Sequence, residues 1–329
     1  MLGSVISLDF SIMPFIGLFL CVILAVFSLA LGGHWLTHGA IQFSNYFGIS
    51  RLLVGLTIVS VATSLPELFT CLKAVSTNPA LALGSIIGSN IANIGLIVGI
   101  TSLIMPLKSN LGIIRIELRF LSLLTLMFFF FAYSSSSFNR LEGLFLIVLT
   151  IGYLFMLVRN SLISGASSSN EYRALPTIKP LLSGSIIWII FGSFLLAIGA
   201  ENLVGSASEL ALRLNISDSF IGLSIVALGT SLPELVTSIS ASLKQKNDLC
   251  LGNIIGSNIF NLSLIGGASA LFFPFSVDSS FIVLEFPLLL IATTLLWFFL
   301  RKENLLVGKF QGVILLIFYV FVMVFTGMK

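Results

Sequence analysis

The chain has 329 residues and a formal net charge of +3, from 16 Lys and Arg against 13 Asp and Glu. Hydrophobic residues make up 57% of the chain and charged residues 9%, whereas soluble domains carry about 25% charged residues. This composition excludes a soluble enzyme, a nucleic-acid-binding protein, a disordered chain and a disulfide-bonded scaffold, and it predicts a protein that crosses a membrane several times.

Ten apolar segments are each long enough to cross a hydrocarbon core about 30 Å thick. They lie near residues 12–33, 52–76, 81–105, 114–133, 138–158, 181–204, 219–242, 249–273, 279–299 and 306–327. The first is preceded by Asp9 and by no basic cluster, so we expect a span and not a cleaved signal peptide. The predicted fold class is therefore an all-α membrane protein of about ten transmembrane helices.

The distribution of Lys and Arg predicts how these spans are oriented. Twelve of these residues lie in loops that follow odd-numbered spans, and four lie on the opposite side. Because cytoplasmic loops are enriched in basic residues, both termini are predicted to lie outside and segment 159–180 in the cytoplasm. That segment is the one long polar stretch, and its Ser and Gly content indicates a flexible linker, with a regulatory role as the less favoured alternative.

The two halves of the chain repeat each other. GLTIVSVATSLPELFTC at 55–71 matches GLSIVALGTSLPELVTS at 222–238 in 11 of 17 positions, at an offset of 167 residues. LGSIIGSNIAN at 83–93 matches LGNIIGSNIFN at 251–261 in 9 of 11 positions, at an offset of 168. The sequence therefore predicts one structural unit that occurs twice.

The repeat divides the chain into an N-terminal five-helix repeat at 1–158, a cytoplasmic linker at 159–180 and a C-terminal five-helix repeat at 181–329. Because five is odd, the second repeat enters the membrane in the opposite sense to the first. Such inverted repeats are typical of secondary transporters that work by alternating access. A channel can also be built from repeats, so this feature favours a transporter without excluding a channel.

Two of the 13 acids lie mid-span inside the repeated blocks, Glu67 and Glu234. A carboxylate at membrane depth costs several kcal/mol unless it is paired or coordinated. No Lys, Arg or His lies close to either one in sequence at membrane depth. A protonated glutamate bonded to a backbone carbonyl is the alternative, but it would have to arise twice at equivalent positions. We therefore expect both carboxylates to bind cations.

The residues around these glutamates supply further oxygen atoms. Each acid ends the sequence T-S-L-P-E, where the proline lacks an amide hydrogen, so the carbonyl of Ala62 or Gly229 loses its helical partner. The hydroxyl and amide groups of the two blocks belong to Thr63, Ser64, Thr230, Ser231, Ser89, Asn93, Ser257 and Asn261. Asn90 and Asn258 could instead cap a helix or bond between helices. Hard cations such as Ca²⁺ and Na⁺ prefer oxygen ligands, and these motifs offer no His or Cys that would favour a softer metal.

The charge of the carboxylate pair predicts ion exchange. One Ca²⁺ or two Na⁺ neutralise two carboxylates, whereas both kinds of ion at once would be penalised in a site of low dielectric constant. Competition for the same charges makes Ca²⁺ and Na⁺ the expected transported ions, with H⁺ as a further competitor because neighbouring carboxylates favour protonation of one of them. No cofactor is expected, and no partner besides these ions and the lipid bilayer.

The T-S-L-P-E and G-S-N-I-x-N blocks resemble the two α-repeats of the sodium/calcium exchanger family, in the cation/Ca²⁺ antiporter superfamily, at about 55–100 and 222–268. The resemblance implies a prokaryotic-type, ten-helix antiporter that exchanges Ca²⁺ for Na⁺, extrudes Ca²⁺ across the plasma membrane and is a monomer. It also implies that spans 1 and 6 slide as a pair across the remaining helices. Some microbial members, and members that also carry K⁺, have Asp where this chain has Asn261, which argues against K⁺ co-transport.

The resemblance also implies a role for each site residue. Glu67 and Glu234 would be the central Ca²⁺ ligands, helped by the hydroxyls of Thr63 and Thr230. The flanking Na⁺ positions and the middle of the site would take oxygen atoms from further residues: the carbonyls of Ser60 and Ala227, the hydroxyls of Ser89 and Ser257, the nearby Ser64 and Ser231, and the amides of Asn93 and Asn261.

Three alternatives to Na⁺/Ca²⁺ exchange can be compared with these sequence features. Exchange of Ca²⁺ or another cation for H⁺ would use the same carboxylates. A cation channel is less favoured because channels typically assemble identical filters by rotational symmetry, whereas this chain carries its own antiparallel pair. An intramembrane enzyme is not supported, because the two histidines, His34 and His38, share a loop beside span 1 and lie in no nucleophile motif.

Overall fold

The computed structural model of the protein describes residues 9–108, 111–164, 182–214, 227–300 and 306–327. Within these ranges the chain forms ten helices: α1 Phe15–Phe47, α2 Arg51–Val75, α3 Pro79–Ile104, α4 Leu111–Ser135, α5 Arg140–Ser164, α6 Leu182–Arg213, α7 as Ala227–Thr230 and Leu232–Leu243, α8 Asn247–Phe272, α9 Ser279–Leu300 and α10 Lys309–Gly327. Among the described residues, nine helices are long and apolar enough to cross a membrane. The tenth predicted span, 219–242, corresponds to α7, and its first residues lie outside the described ranges.

Helix α1 is longer than the predicted span at 12–33. It continues until Gly48, whose left-handed backbone, with φ of 65°, ends the helix. The prediction of a loop beside span 1 is therefore wrong, since His34 and His38 lie within α1. Helix α6 likewise runs on to Arg213. A hydropathy pattern detects the roughly 20 residues inside the hydrocarbon core, and these helices extend beyond it.

The other helix boundaries lie closer to the predicted ones. Helices α2–α4 and α8–α10 begin and end within a few residues of the predicted spans. Helix α5 continues to Ser164, so residues 159–164 of the predicted linker are helical. Residues 165–181, which hold the rest of that linker, lie outside the described residues.

Four short strands join the two halves of the chain. Strand β1, Leu107–Lys108, pairs with β4, Leu306–Val307, and β2, Ser137–Phe138, pairs with β3, Phe275–Ser276; both pairs are antiparallel. The repeat offset of 168 carries β1 onto β3 and β2 to within one residue of β4, so the symmetry that relates the halves exchanges the two small sheets. This exchange is what two inverted five-helix repeats require, and the predicted fold class is confirmed.

Residues at equivalent positions also meet across the symmetry axis. The hydroxyls of Thr125 and Thr293, which are 168 residues apart, lie 3.5 Å from each other. The hydroxyl of Ser28 donates a 2.9 Å hydrogen bond to the carbonyl of Leu195, 167 residues away. Because both pairs join a residue to its own counterpart, they mark where the pseudo-twofold axis passes between α4 and α9 and between α1 and α6.

Helices α1 and α6 pack along each other as a pair. A Cβ atom on Gly32 would lie 2.8 Å from the backbone nitrogen of Leu196, so only glycine permits this close approach. The outer faces of the two helices carry exposed apolar side chains, as expected for contact with lipid. The remaining helices form a core centred on α8, in which residues 249–263 are all buried.

Candidate ion-binding site

The two repeated sequence blocks of each half meet in the core, and the helices there are irregular. Five-residue π-helical turns occur at Gly55–Val59 in α2, Asn93–Ile97 in α3 and Asn261–Ile265 in α8. The turn in α3 contacts the Leu232–Leu243 segment of α7, and the turn in α8 contacts α2. A π-turn changes which carbonyls are bonded and is frequent at functional sites. Both Asn93 and Asn261 therefore begin an irregular turn that faces the T-S-L-P-E helix of the other half.

The two T-S-L-P-E sequences adopt different backbones. In α2 the α-helix is continuous over Ser60–Val75 with Pro66 inside it. In α7 the helix is interrupted at Ser231, and Pro233 lies in the first turn of the following segment, where its missing N–H costs little. The five identical residues thus form a continuous helix in one half and a break in the other.

The carboxyl groups of Glu67 and Glu234 lie together at the centre of the core. The side chains are 3% and 1% exposed, and the two carboxyl groups lie close to each other. The hydroxyl of Ser64 donates a 2.9 Å hydrogen bond to Oε1 of Glu234, whereas Oε2 of each glutamate accepts none from the described residues. Within the described part of the chain, neither carboxyl forms an ion pair with Lys, Arg or His. Such a pair requires a proton or a metal ion between its oxygen atoms.

Further oxygen atoms in the core lack a hydrogen-bond partner. Among the described residues, four of these atoms belong to predicted site residues, namely Oγ of Ser231, Oγ of Ser257, Oδ1 of Asn93 and Oδ1 of Asn261, and two more are Oδ1 of Asn90 and Oδ1 of Asn258. A buried polar atom without a partner costs about 1–3 kcal/mol, so a cation that these oxygens coordinate would remove that cost. The four oxygens of predicted site residues belong to three helices, α3, α7 and α8.

The remaining predicted site residues lie on helices α2, α3 and α7. Ser89 is buried on α3, Thr230 is half-buried, and Ala227 begins the first segment of α7. The hydroxyl of Ser60 donates to the carbonyls of Gly55 at 2.6 Å and Asn253 at 3.1 Å. That hydroxyl is therefore engaged with backbone atoms, which leaves the carbonyl of Ser60, as predicted, as its contribution to a site.

Glycines bring α2 against α8 at this level. A Cβ atom on Gly55 would lie 2.6 Å from the carbonyl oxygen of Leu249, and one on Gly256 would collide with the hydroxyl of Ser60. Side chains any larger would separate the helices and move Ser60 and Thr63 away from α8.

Asn253 contacts two of the predicted site residues, and sequence reasoning missed it. Its amide nitrogen donates to Oγ of Ser238 at 3.1 Å and to the carbonyl of Glu234 at 3.4 Å. Its Oδ1 accepts from Oγ1 of Thr63 at 3.4 Å. The one available signal was a difference between the repeated blocks, since Ser85 occupies the equivalent position of the first half.

Asn90 and Asn258, whose roles the sequence left open, behave alike. Each donates from its amide nitrogen to the carbonyl four residues earlier on its own helix, Ile86 or Ile254, at 2.7 Å. These bonds lie within a helix and not between helices. We therefore leave both residues out of the candidate ligand set.

The family profile described as "Sodium/calcium exchanger protein" matches residues 16–159 and 184–328. The chain belongs to the sodium/calcium exchanger protein family. The resemblance predicted from the repeated motifs is thus confirmed, and the protein is an integral membrane protein of this family. The match includes all ten helices and every predicted site residue, from Ser60 to Asn261.

Individual relatives are similar over nearly the whole chain. An uncharacterized membrane protein of Methanocaldococcus jannaschii is 33% identical over 306 residues, which cover 91% of this chain and 94% of the relative. Sodium/calcium exchanger MaX1 of Methanosarcina acetivorans is 29% identical over 337 residues, covering 92% and 96%. Inner membrane protein YrbG of Escherichia coli is 32% identical over 274 residues, covering 82% and 84%. A solved structure of the sodium-calcium exchanger NCX_Mj superposes with a TM-score of 0.80 at 29% identity, covering 93% of this chain and 97% of that one.

Proposed function

We propose that this protein is a secondary active antiporter that exchanges Ca²⁺ for Na⁺ by alternating access, in the direction of Ca²⁺ extrusion. The observation that carries the proposal is the carboxyl pair of Glu67 and Glu234, buried in contact with each other and with an unbonded Oε2 on each. The names of the relatives MaX1 and NCX_Mj support the choice of ions.

The charge of the pair explains how two ions compete. Two carboxylates carry −2, which one Ca²⁺ or two Na⁺ neutralise. Ca²⁺ and Na⁺ together would leave a net positive charge in a buried site, where Coulomb repulsion is weakly screened. Reorientation of a neutral site across the hydrocarbon core costs less than reorientation of a charged one. The antiporter therefore moves only when one kind of ion has replaced the other.

We infer the ligands from the oxygen atoms around the pair. Ca²⁺ takes the carboxylates of Glu67 and Glu234 and the hydroxyls of Thr63 and Thr230. Flanking Na⁺ positions and the middle of the site use the carbonyls of Ser60 and Ala227, the hydroxyls of Ser64, Ser231, Ser89 and Ser257, and the amide oxygens of Asn93 and Asn261. The unbonded oxygens of Ser231, Ser257, Asn93 and Asn261 support this set, because each has coordination capacity to spare.

The α1–α6 pair is the moving part in this proposal. Its outer faces meet lipid, and glycines along its seam hold the two helices together as one body. Two hydrogen bonds connect α1 to the α7 region: from Oγ1 of Thr37 to the carbonyl of Thr237 at 3.5 Å, and from Nζ of Lys244 to the carbonyl of His34 at 2.9 Å. A sliding motion breaks these hydrogen bonds, shifts the packing of Gly33 against Val236 and leaves the carboxyl pair intact.

Orientation, location and assembly follow the sequence argument. We propose that both termini lie outside, that the 159–180 segment is cytoplasmic and that a monomer acts in the prokaryotic plasma membrane, with no enzymatic activity. The excess of Lys and Arg in the loops after odd-numbered spans supports the orientation. The relative from Escherichia coli is named inner membrane protein YrbG, which supports the location.

Exchange of Ca²⁺ for H⁺ is the second candidate, and the contact between the two carboxyls favours it, because a shared proton would hold them together. Purified protein in lipid vesicles separates the candidates. Na⁺-loaded vesicles diluted into Na⁺-free buffer with radioactive Ca²⁺ should accumulate Ca²⁺, and an imposed pH gradient alone should not. Uptake that follows only the pH gradient would instead support H⁺ exchange, and uptake without any counter-ion gradient would indicate a channel.

A further inference from the structure

The two halves of the protein differ at one contact beside the carboxyl pair. In the second half, the amide of Asn253 on α8 donates to the hydroxyl of Ser238 on α7 at 3.1 Å. The equivalent positions of the first half hold Ser85 on α3 and Cys71 on α2, whose side chains also lie close to each other. At this contact between two helices, the second half therefore has the amide of Asn253 where the first half has the shorter hydroxyl side chain of Ser85.

The longer side chain of Asn253 reaches atoms that a serine cannot. Its nitrogen also donates to the carbonyl of Glu234 at 3.4 Å, and its Oδ1 accepts from Oγ1 of Thr63 at 3.4 Å. Because the carbonyl can only accept, the amide nitrogen must face Glu234, and Oδ1 is then the atom that faces Thr63. Asn253 thus joins α8 to both T-S-L-P-E helices, one from each half.

This arrangement fixes the orientation of the Thr63 hydroxyl. The neighbouring acceptors of that hydroxyl are Oδ1 of Asn253 at 3.4 Å, the carbonyl of Ser60 at 3.3 Å and the carboxyl of Glu234. When a cation occupies the carboxyl oxygens of Glu234, as the proposed function requires, the hydrogen of this hydroxyl is left to Asn253 and Ser60, and Oγ1 of Thr63 can present a lone pair to the same cation. A hydroxyl held in this way is a better cation ligand than one that rotates freely, since the cost of orienting it has been met before the ion arrives.

We propose that Asn253 is a positioning residue that makes the two halves of the ion site inequivalent, by orienting the Thr63 hydroxyl and anchoring the backbone of Glu234. The proposal rests on the proposed exchange function. It assigns no such role to Ser85, so the ion affinity depends on Asn253 and not on its counterpart.

The test compares Asn253→Ser with the wild type in the vesicle assay, measuring the half-saturating Ca²⁺ concentration and the maximal rate of Na⁺-driven uptake. Serine is chosen because α3 already accommodates it at the equivalent position. We expect the half-saturating concentration to rise about three- to tenfold, the effect of one or two lost hydrogen bonds. We expect the maximal rate to stay within about twofold, because the lost interaction affects binding.

Two controls separate positioning from simple loss of a buried side chain. Asn258→Ser removes an equally buried amide from the same helix, one whose nitrogen donates to the carbonyl of Ile254 on its own helix and, among the described residues, contacts neither Thr63 nor Glu234 by a hydrogen bond. Ser85→Ala alters the equivalent position of the first half. Both should leave the half-saturating concentration unchanged, even where the thermal unfolding midpoint falls as far as in Asn253→Ser.

A double substitution tests the route through Thr63. In a Thr63→Val background, Asn253→Ser should add little further change, because the hydroxyl that it orients is absent. If Asn253→Ser fails to fold, Ser238→Cys serves instead. This substitution introduces the cysteine found at the equivalent position, Cys71, of the first half and weakens the hydrogen bond donated by the amide of Asn253. It should raise the half-saturating concentration by a smaller factor.

Each outcome of these measurements either supports or overturns the proposed role of Asn253. An unchanged half-saturating concentration in Asn253→Ser, or in Ser238→Cys where the former does not fold, overturns the proposal. An equal rise in Asn258→Ser overturns it too, as does full additivity with Thr63→Val. Wild-type protein without Na⁺-driven uptake would refute the proposed function and this inference together, whereas the other failures would refute the inference alone.

Discussion

The hydroxyl of Ser64 donates a 2.9 Å hydrogen bond to Oε1 of Glu234, so a residue of the first half holds the carboxyl of the second. The counterpart of Ser64 is Ser231, whose Oγ is buried and, among the described residues, has no hydrogen-bond partner. Hydrogen bonds to ionised groups are roughly twice as strong as those between neutral groups. The two carboxyls are therefore held differently, although the residues around them are nearly the same.

This difference predicts unequal effects of two matched substitutions. Ser64→Ala removes the bond that positions Glu234 and should raise the half-saturating Ca²⁺ concentration by about tenfold. Ser231→Ala removes a hydroxyl that makes no hydrogen bond here and should produce a clearly smaller rise. Both are measured as Na⁺-driven Ca²⁺ uptake in vesicles. Equal effects, or a larger effect of Ser231→Ala, would show that the hydrogen bond does not position the carboxyl.

The close approach of α2 and α8 predicts the effect of one added methyl group. In Gly256→Ala the new Cβ would collide with Oγ of Ser60 and lie 2.8 Å from Cα of Leu56. Overpacking of this kind costs about 1–3 kcal/mol, so the thermal unfolding midpoint in detergent should fall and exchange should slow.

Gly152→Ala is the matched control for this change. Gly152 lies on an exposed face of α5, and a Cβ there would meet no atom within 4 Å. Its unfolding midpoint should equal that of the wild type or exceed it slightly, since alanine favours helix. A Gly256→Ala protein as stable and as active as Gly152→Ala would contradict the packing described between α2 and α8.

Much of this architecture could be predicted from the sequence. The length of the apolar runs located nine of the ten helices, because burial in a hydrocarbon core demands a continuous apolar run. Most of the predicted helix ends lie within a few residues of the observed ones. The repeat predicted the inverted halves, and the scarcity of mid-span acids pointed to Glu67 and Glu234. Hydropathy failed for the ends of α1 and α6, because it detects the membrane core, and a helix can continue beyond it until a residue such as Gly48 ends it.

The finer geometry of the site could not be predicted in the same way. A π-turn such as Asn93–Ile97 shifts hydrogen bonds by one residue and leaves no trace in composition. The backbones around Pro66 and Pro233 differ although both follow T-S-L, because tertiary packing and not the local sequence decides whether the helix is interrupted. Asn253 was missed because its partners lie on two other helices, and no pattern along one helix reports them.

The charge pattern predicts which loops face the cytoplasm. With Cys21, Cys71 and Cys250 replaced, Ser167→Cys in the 159–180 segment should react with a membrane-impermeant maleimide only after cells are permeabilised. Thr77→Cys, at an exposed position between α2 and α3, should react in intact cells, because that loop is predicted to lie outside. The reverse labelling pattern would mean that the orientation is inverted.

The most direct test of the central claim, that Glu67 and Glu234 together hold the exchanged ions, is Na⁺-driven Ca²⁺ uptake by Glu67→Gln and Glu234→Gln vesicles. Each substitution keeps the size of the side chain and removes one of two charges, so Ca²⁺ would be only half neutralised. Glu142→Gln serves as the control, since glutamine can accept the same 2.9 Å bond from the backbone of Asn139. We predict uptake at the level of protein-free vesicles in the first two variants and wild-type uptake in the control. Wild-type uptake in either Glu67→Gln or Glu234→Gln would contradict the claim.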